Sequence, residues 1–246
     1  MMKTAPALVT LFVLVAVPGS AFASSLYAGV MGGWSQIRDT RFNTGDEGET
    51  RVTSEYRSGD TLSLVLGSVA EGSERFRGRR ELELGFQRGN VDSLTFDDTT
   101  DDDDQLAEED LEFDDDGEPV ETGGEKTTKA NVSGAAEAAF GFFNLYGDFR
   151  LRENVDLVAG FGVGVGEVTF DTQSAEGRGV VMDDSDITWG FQVNLGLAYR
   201  LLERIDIEAS YRHRSWEDVR LRSEEGIRTQ VRVPSHNVQA GLRFRF

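Results

Sequence analysis

Two side chains two positions apart, His213 and Ser215, form the most reactive pairing this chain offers. An imidazole beside a hydroxyl can take its proton and leave an oxygen nucleophile, with a carboxylate from Glu224 or Glu225 to orient the ring. Positions two apart in a strand share a face, so the pair could meet if both stand on a strand. The only other histidine is His236. A second possibility lies in the carboxylates Asp97-Asp98, Asp101 to Asp104, Glu108-Glu109-Asp110 and Asp114-Asp115-Asp116-Gly117. Carboxylate oxygens are the preferred ligands of calcium. The position six residues beyond Gly117, where a calcium loop would place its closing glutamate, is Gly123. Weak divalent-cation binding is therefore the most this loop promises, and a hydrated segment with few apolar residues is the plainer expectation. No zinc spacing, phosphate-binding glycine loop or nucleophile elbow occurs, and the glycines from Gly160 to Gly166 lack a strand-to-helix context. The chain is expected not to be an enzyme, with no catalytic, cofactor or metal residue assigned.

Whatever those residues do depends on the elements that carry them. The chain has 246 residues, no cysteine and a formal charge of −19. Seventeen of its 44 acidic residues fall between Val91 and Lys126, and the remainder is close to balance. The charge thus describes one solvated segment, residues 91–126, and nothing resembles a basic nucleic-acid footprint. The start, Met1-Met2-Lys3, leads into an apolar run from Ala7 to Val17 and then Ala21-Phe22-Ala23. A basic start, a run too short to span a bilayer and a small-x-small ending predict a signal peptide over 1–23, leaving one domain over 24–246.

After that leader the apolar pattern has period two. Ile187, Trp189, Phe191, Val193, Leu195, Leu197 and Tyr199 share one face, and Thr188, Gln192, Asn194 and Arg200 lie on the other. A helix would mix the two sets. Seven further segments read alike: 26–34, 61–70, 77–87, 131–143, 155–169, 205–216 and 231–246. The links between these eight strands alternate in length. Ser35–Asp60, Arg88–Ala130, Phe170–Asp186 and Glu217–Gln230 are long, and Glu71–Phe76, Asn144–Asn154 and Leu201–Arg204 are short. That alternation belongs to strands running up and down between two sides of a membrane, with short turns and both chain ends in the periplasm. The glycines on the polar face of 155–169 suit a crowded, narrow interior. A soluble ligand-binding barrel, apolar inside, would give the same alternation and is the competing fold.

The chain ends Leu242-Arg243-Phe244-Arg245-Phe246. This ending resembles the signal read by the machinery that inserts outer-membrane barrels, which implies that machinery as a partner through Leu242, Phe244 and Phe246. The stretch Phe143-Asn144-Leu145-Tyr146-Gly147-Asp148-Phe149, followed by Val158 to Gly164, is similar to the strand-turn-strand region of the opacity-protein and outer-membrane-protein-A type barrels. The resemblance implies an all-β fold, an eight-stranded antiparallel up-and-down transmembrane β-barrel, in the outer membrane of a Gram-negative bacterium. The aspartate-rich loop departs from that family. So does the lack of a following peptidoglycan-binding domain, and no cell-wall anchoring is expected. The His-x-Ser pair is also similar to one carried by lipid A deacylases, although the sequence around it is not.

A polar face turned inward would collect Arg77, Arg79, Glu81, Glu83, Glu137, Asp156, Arg200, Asp206, Glu208, Arg212, Arg214, Arg243 and Arg245. Unpaired charges there would be costly, so an ion-pair network is expected. Eight strands leave room for side chains only, which excludes a general porin. Aromatic girdles are expected from Tyr199, Phe244 and Phe246 on the periplasmic side and from Trp34, Trp189 and Trp216 on the outer side. The expected role is structural or surface interaction, as a surface antigen of a porin-like family displaying four loops. Outer-membrane lipid and lipopolysaccharide are the expected partners, with divalent cations at the acidic loop and no nucleic acid. The alternatives are a deacylase-like enzyme using His213 and Ser215, with the pair facing lipid near the outer rim, and a narrow ion channel.

Overall fold

The computed structural model describes residues 25–44, 50–70, 72–98, 132–175, 179–223 and 226–246, and the regular structure among them is strand. Ten strands follow in order: β1 (Ser25–Ile37), β2 (Thr40–Thr44), β3 (Thr50–Tyr56), β4 (Gly59–Val69) and β5 (Phe76–Asp98), then β6 (Val132–Arg152), β7 (Val155–Ala175), β8 (Gly179–Leu202), β9 (Ile205–Arg222) and β10 (Arg228–Arg245). Eight of them, β1 and β4 to β10, form an antiparallel ring that β5 closes by pairing with β6. The other two, β2 and β3, carry the β1–β4 hairpin past bends at 38–39 and 57–58, and β3 continues β4's pairing along β5. All eight expected strands are present. The expected leader, 1–23, lies outside the described residues, as does most of the acidic segment; its first part, Val91–Asp98, is the end of β5.

The links differ from expectation. At the end of the barrel away from the chain termini, here the loop end, most of three long links, 35–60, 170–186 and 217–230, is strand, and the fourth is strand as far as it is described, to Asp98. The ladder between β7 and β8 runs out to Ala175↔Gly179. At the termini end, the segment read as a turn from Asn144 to Asn154 shrinks to Glu153-Asn154, because β6 runs to Arg152. Asn144 and Gly147 have turn-former chemistry, yet Asn144, Tyr146 and Asp148 alternate with Leu145, Gly147 and Phe149. The first three point inward and buried. Strand periodicity therefore outweighs local turn preference.

The apolar face points outward. Leu62, Leu64 and Leu66 of β4, Leu82, Leu84 and Phe86 of β5, and Phe161, Val163 and Val165 of β7 are exposed, and the other ring strands match them. A polar outer wall, as a soluble barrel needs, is absent over this belt among the described residues. Towards the loop end the pattern inverts: apolar side chains turn inward and charged ones outward. Trp34 is followed by inward Ile37, Val165 by Val168 and Tyr211 by Trp216, each an odd step, which in a period-two strand means a change of face. A bulge at Glu217-Asp218, with Asp218 at φ 55°, then keeps Val219 and Leu221 inside.

Two expected placements are corrected by this register. Trp216 is not part of an outer girdle, because it shares the inward face with Arg212 and Arg214 and is 1% exposed. Glu137 is not in the lumen. Small residues occupy both faces of Ala135–Ala139, so the pattern gives no direction there, and pairing to Arg88 at 3.2 Å sets Glu137 on the outer wall. Trp34 and Trp189 do face outward near the loop end, and Tyr199, Phe244 and Phe246 outward near the termini end.

Trp216 packs against Phe142 and Phe140, with ring centroids 5.3 and 6.1 Å away, over the bare backbones of Gly166 and Gly190. A Cβ at Gly190 would stand 2.6 Å from the indole. Trp216→Ala should cost about 3–5 kcal/mol and Gly190→Leu about 1–3 kcal/mol. Both should lower the temperature at which the folded band loses its distinct gel mobility; no change for Trp216→Ala would mean the ring holds nothing.

Candidate functional site

The lumen is built in layers from side chains that several strands deliver. Glu83 on β5 is the centre of the first and is fully buried. Its carboxylate accepts from Arg212 at 2.6 Å and Arg214 at 3.4 Å on β9, Gln192 at 2.8 Å on β8 and Asn144 at 3.0 Å on β6. Arg214 donates also to Gln192 at 2.9 Å and Gln87 at 3.1 Å, and its guanidinium lies 3.7 Å over the Phe140 ring. Planar forks of donors suit such shared, stacked use better than a lysine ammonium would.

A second layer lies nearer the termini. Glu208 joins Arg79 at 3.1 Å and Arg243 at 3.0 Å, Arg79 approaches Asp148 at 3.5 Å, and Tyr27 donates to Glu81 at 2.6 Å. At the mouth, Asp156 holds Arg77 and, at 3.0 Å, Arg150, while Asp206 holds Arg245 at 3.0 Å. The expected ion-pair network is thus present. Tyr27, Asn144, Tyr146 and Asp148 join it although the sequence reading passed over them; for the last three the missed signal was alternation continuing through an apparent turn.

Above the ionic layers the interior becomes apolar. Phe42, Val52, Phe96, Phe170, Val219, Leu221, Val231 and Val233 pack together beneath the loop end. Within them Tyr56 bonds Thr40 at 2.7 Å and accepts from Gln173 at 3.2 Å, and Ser54 donates to Gln173 at 3.0 Å, tying β3 to β7. Burial pushes the Tyr56 hydroxyl up from its ordinary value, so it stays protonated. Charged mouth, charged middle and greasy cap together fill an interior that eight strands already make narrow.

The reactive pairing looks different in three dimensions. Ser215 is buried and donates to Glu217 Oε1 at 2.6 Å, and Glu217 Oε2 accepts from Arg232 at 2.7 Å. His213 has its ring 5.0 Å from that of His236, whose Nδ1 meets the Tyr211 hydroxyl at 2.6 Å. The strand does bring both residues to one wall, but the serine hydrogen bond goes to a carboxylate rather than to the imidazole. Glu224 and Glu225 lie outside the described residues, as do the aspartates 101–104 and 114–116. Among the described residues no group of three or more His, Asp or Glu is placed to hold a metal. Leu242, Phe244 and Phe246 stand exposed on the outer face at the termini end.

The pattern of the family described as "Outer membrane protein beta-barrel domain" matches residues 7–246. No curated protein matches the chain. Among solved structures, the neisserial surface protein A is similar at 13% identity and a TM-score of 0.43, covering 91% of this chain and 99% of that one. The outer membrane protease OmpT from Escherichia coli gives 9% identity and 0.48, covering 93% and 99%. The attachment invasion locus protein Ail of Yersinia pestis gives 15% and 0.36, covering 89% and 98%.

The Glu83 centre makes a sharp stability test. Glu83→Ala strands two buried guanidinium groups and should cost about 3–5 kcal/mol in urea unfolding of the refolded barrel. Pairing Glu83→Met with Arg212→Met should cost clearly less than the two single changes together. Strict additivity would show that the two side chains do not act as a unit.

Proposed function

This chain belongs to the outer membrane protein β-barrel domain family, and from that membership we propose that it serves as a sealed outer-membrane anchor that presents its loop end to the outside of a Gram-negative cell. The observation that carries this reading is the filled lumen: Glu83, Arg212, Arg214 and Trp216 are each at most 1% exposed. A solute has no path past them, so the useful surface is the rim and not the bore. The apolar belt matches hydrocarbon, and a closed sheet leaves no backbone edge to solvate. The termini end carries the tight turns at Glu153-Asn154 and Glu203-Arg204, which supports a periplasmic position for it, with Leu242, Phe244 and Phe246 available to insertion machinery. The leader, 1–23, delivers the chain there. Rigid strands running beyond the belt hold the loops away from the membrane, where a surface antigen or adhesive contact would be made.

Two measurements test the reading. In planar-bilayer recording the refolded protein should show no discrete conductance, and a steady single-channel current would restore the narrow ion channel. Ser215→Ala removes only a donor to Glu217, so lipid A extracted from cells carrying wild type or variant should give the same mass spectrum. An acyl chain lost with the wild type and kept with the variant would make Ser215 a nucleophile and the barrel a lipid-modifying enzyme.

A further inference from the structure

The seam between β1 and β10 does not stay zipped. Their ladder reaches Ile37↔Ser235, and Arg38 N–H then donates to the Pro234 carbonyl at 2.9 Å. In an antiparallel bonded pair a second bond would return from the opposite N–H, which proline lacks. Past that point β2 swings away, and Asn43 N–H next reaches β10 at Thr229 Oγ1, 3.2 Å away. The wedge left open is a solvent-open groove of about 470 Å³, lined chiefly by Arg38, Asp39, Arg41, Gln230, Arg232 and Pro234. Three guanidinium groups there face one lining carboxylate. Arg232 is held by Glu217, whereas Arg38 and Arg41 are exposed and make no ion pair among the described residues.

The height of the wedge says what could reach it. Trp34 and Val238 stand opposite one another, both exposed, as the last apolar belt residues on these two strands. Arg38 lies four residues further on, roughly 13 Å along a strand and about 10 Å in height at the usual tilt. The polar headgroup zone is roughly 6 Å deep on each side of the hydrocarbon. Arg38 therefore starts about 4 Å above that zone, near enough for a long arginine side chain to reach down to headgroup phosphates, with a tryptophan below against which acyl chains can lie.

We propose that this wedge is a binding site for the phosphate groups of a phosphorylated glycolipid of the lipid A class in the outer leaflet. Arg38 and Arg41 supply forked donors that match phosphate oxygens, Gln230 borders the site with its amide donating to Asp218 at 2.8 Å, and Trp34 and Val238 carry the chains below. The proposal rests on the reading that the loop end faces outward. Binding of lipid A carrying both phosphates to the full-length protein in detergent, followed by native mass spectrometry, tests it against enzymatically dephosphorylated lipid A and inorganic phosphate. Wild type should prefer the phosphorylated lipid at least about tenfold over the dephosphorylated one, and Arg38→Gln/Arg41→Gln, with folded gel mobility intact, should lose that preference. Asp39→Asn, which removes the opposing charge, should bind more tightly.

Equal binding of both lipids, or a preference that survives the double substitution, would overturn the site. Inorganic phosphate competing as well as the lipid would reduce it to a free-anion site and overturn the lipid assignment. Should the double variant fail to fold, single changes at either exposed arginine give the same comparison with a smaller expected loss. Protease access to the loop end on intact cells reads orientation separately: a protected loop end would sink the outward reading while leaving the measured phosphate preference untouched.

Discussion

A backbone N–H or C=O left unpaired in hydrocarbon costs several kcal/mol, and water is not there to help. Strands can meet that demand only by closing on themselves, and the pairing of β5 with β6 is the closure. Once the ring exists, side-chain direction is no longer free. Each strand has one face to lipid and one to a lumen too narrow for anything except side chains. Leucines, valines and aromatics go outward; glutamates, arginines and asparagines go inward, where they must satisfy one another. The ionic layers around Glu83 and Glu208 follow from closure, in the sense that charged residues so confined have no other partners.

The same constraint explains why the interior changes character along its length. Beyond the belt the outer wall meets water, so the reason for apolar residues outside disappears and an ordinary hydrophobic core can form inside. Val168, Phe170, Val219 and Leu221 occupy that core, while Arg38, Arg41, Arg88 and Arg232 stand on the wall around it. The level at which the two regimes exchange marks the membrane surface, and it runs through Trp34, Val165 and Tyr211. The open wedge beside Pro234 lies just above it, where one missing donor is tolerable because water can reach the groups left over.

Strand number, the outward apolar face and most of the lumen charges were legible in the sequence because period two survives in single strands, as Ile187 to Tyr199 shows. Three features were not, for one common reason: alternation read from composition loses its phase where residue type stops reporting on face. Ala135 to Ala139 is small on both sides, so Glu137 could not be placed. The five-residue step from Tyr211 to Trp216 changes face, and an expected girdle concealed it. Asn144 and Gly147 suggested a turn because local preference was weighed without counting the alternation on either side.

An apolar interior would pack well and avoid the desolvation of so many charges, so the ionic layers call for a reason other than stability. Register supplies one. With both faces apolar, a strand displaced by one residue would find its reversed side chains nearly as well accommodated in lipid as before. With Arg79, Glu81 and Glu83 on one face of β5, a one-residue slip would turn all three towards hydrocarbon, where a basic side chain costs about 2–4 kcal/mol at mid-membrane and an acidic one somewhat less. The partners of Glu83 on β6, β8 and β9 would be left buried and unpaired at the same moment. The lumen charges thus act chiefly against wrong pairings. A barrel whose bore is occupied by the groups that set its own register keeps little space between its strands for anything else.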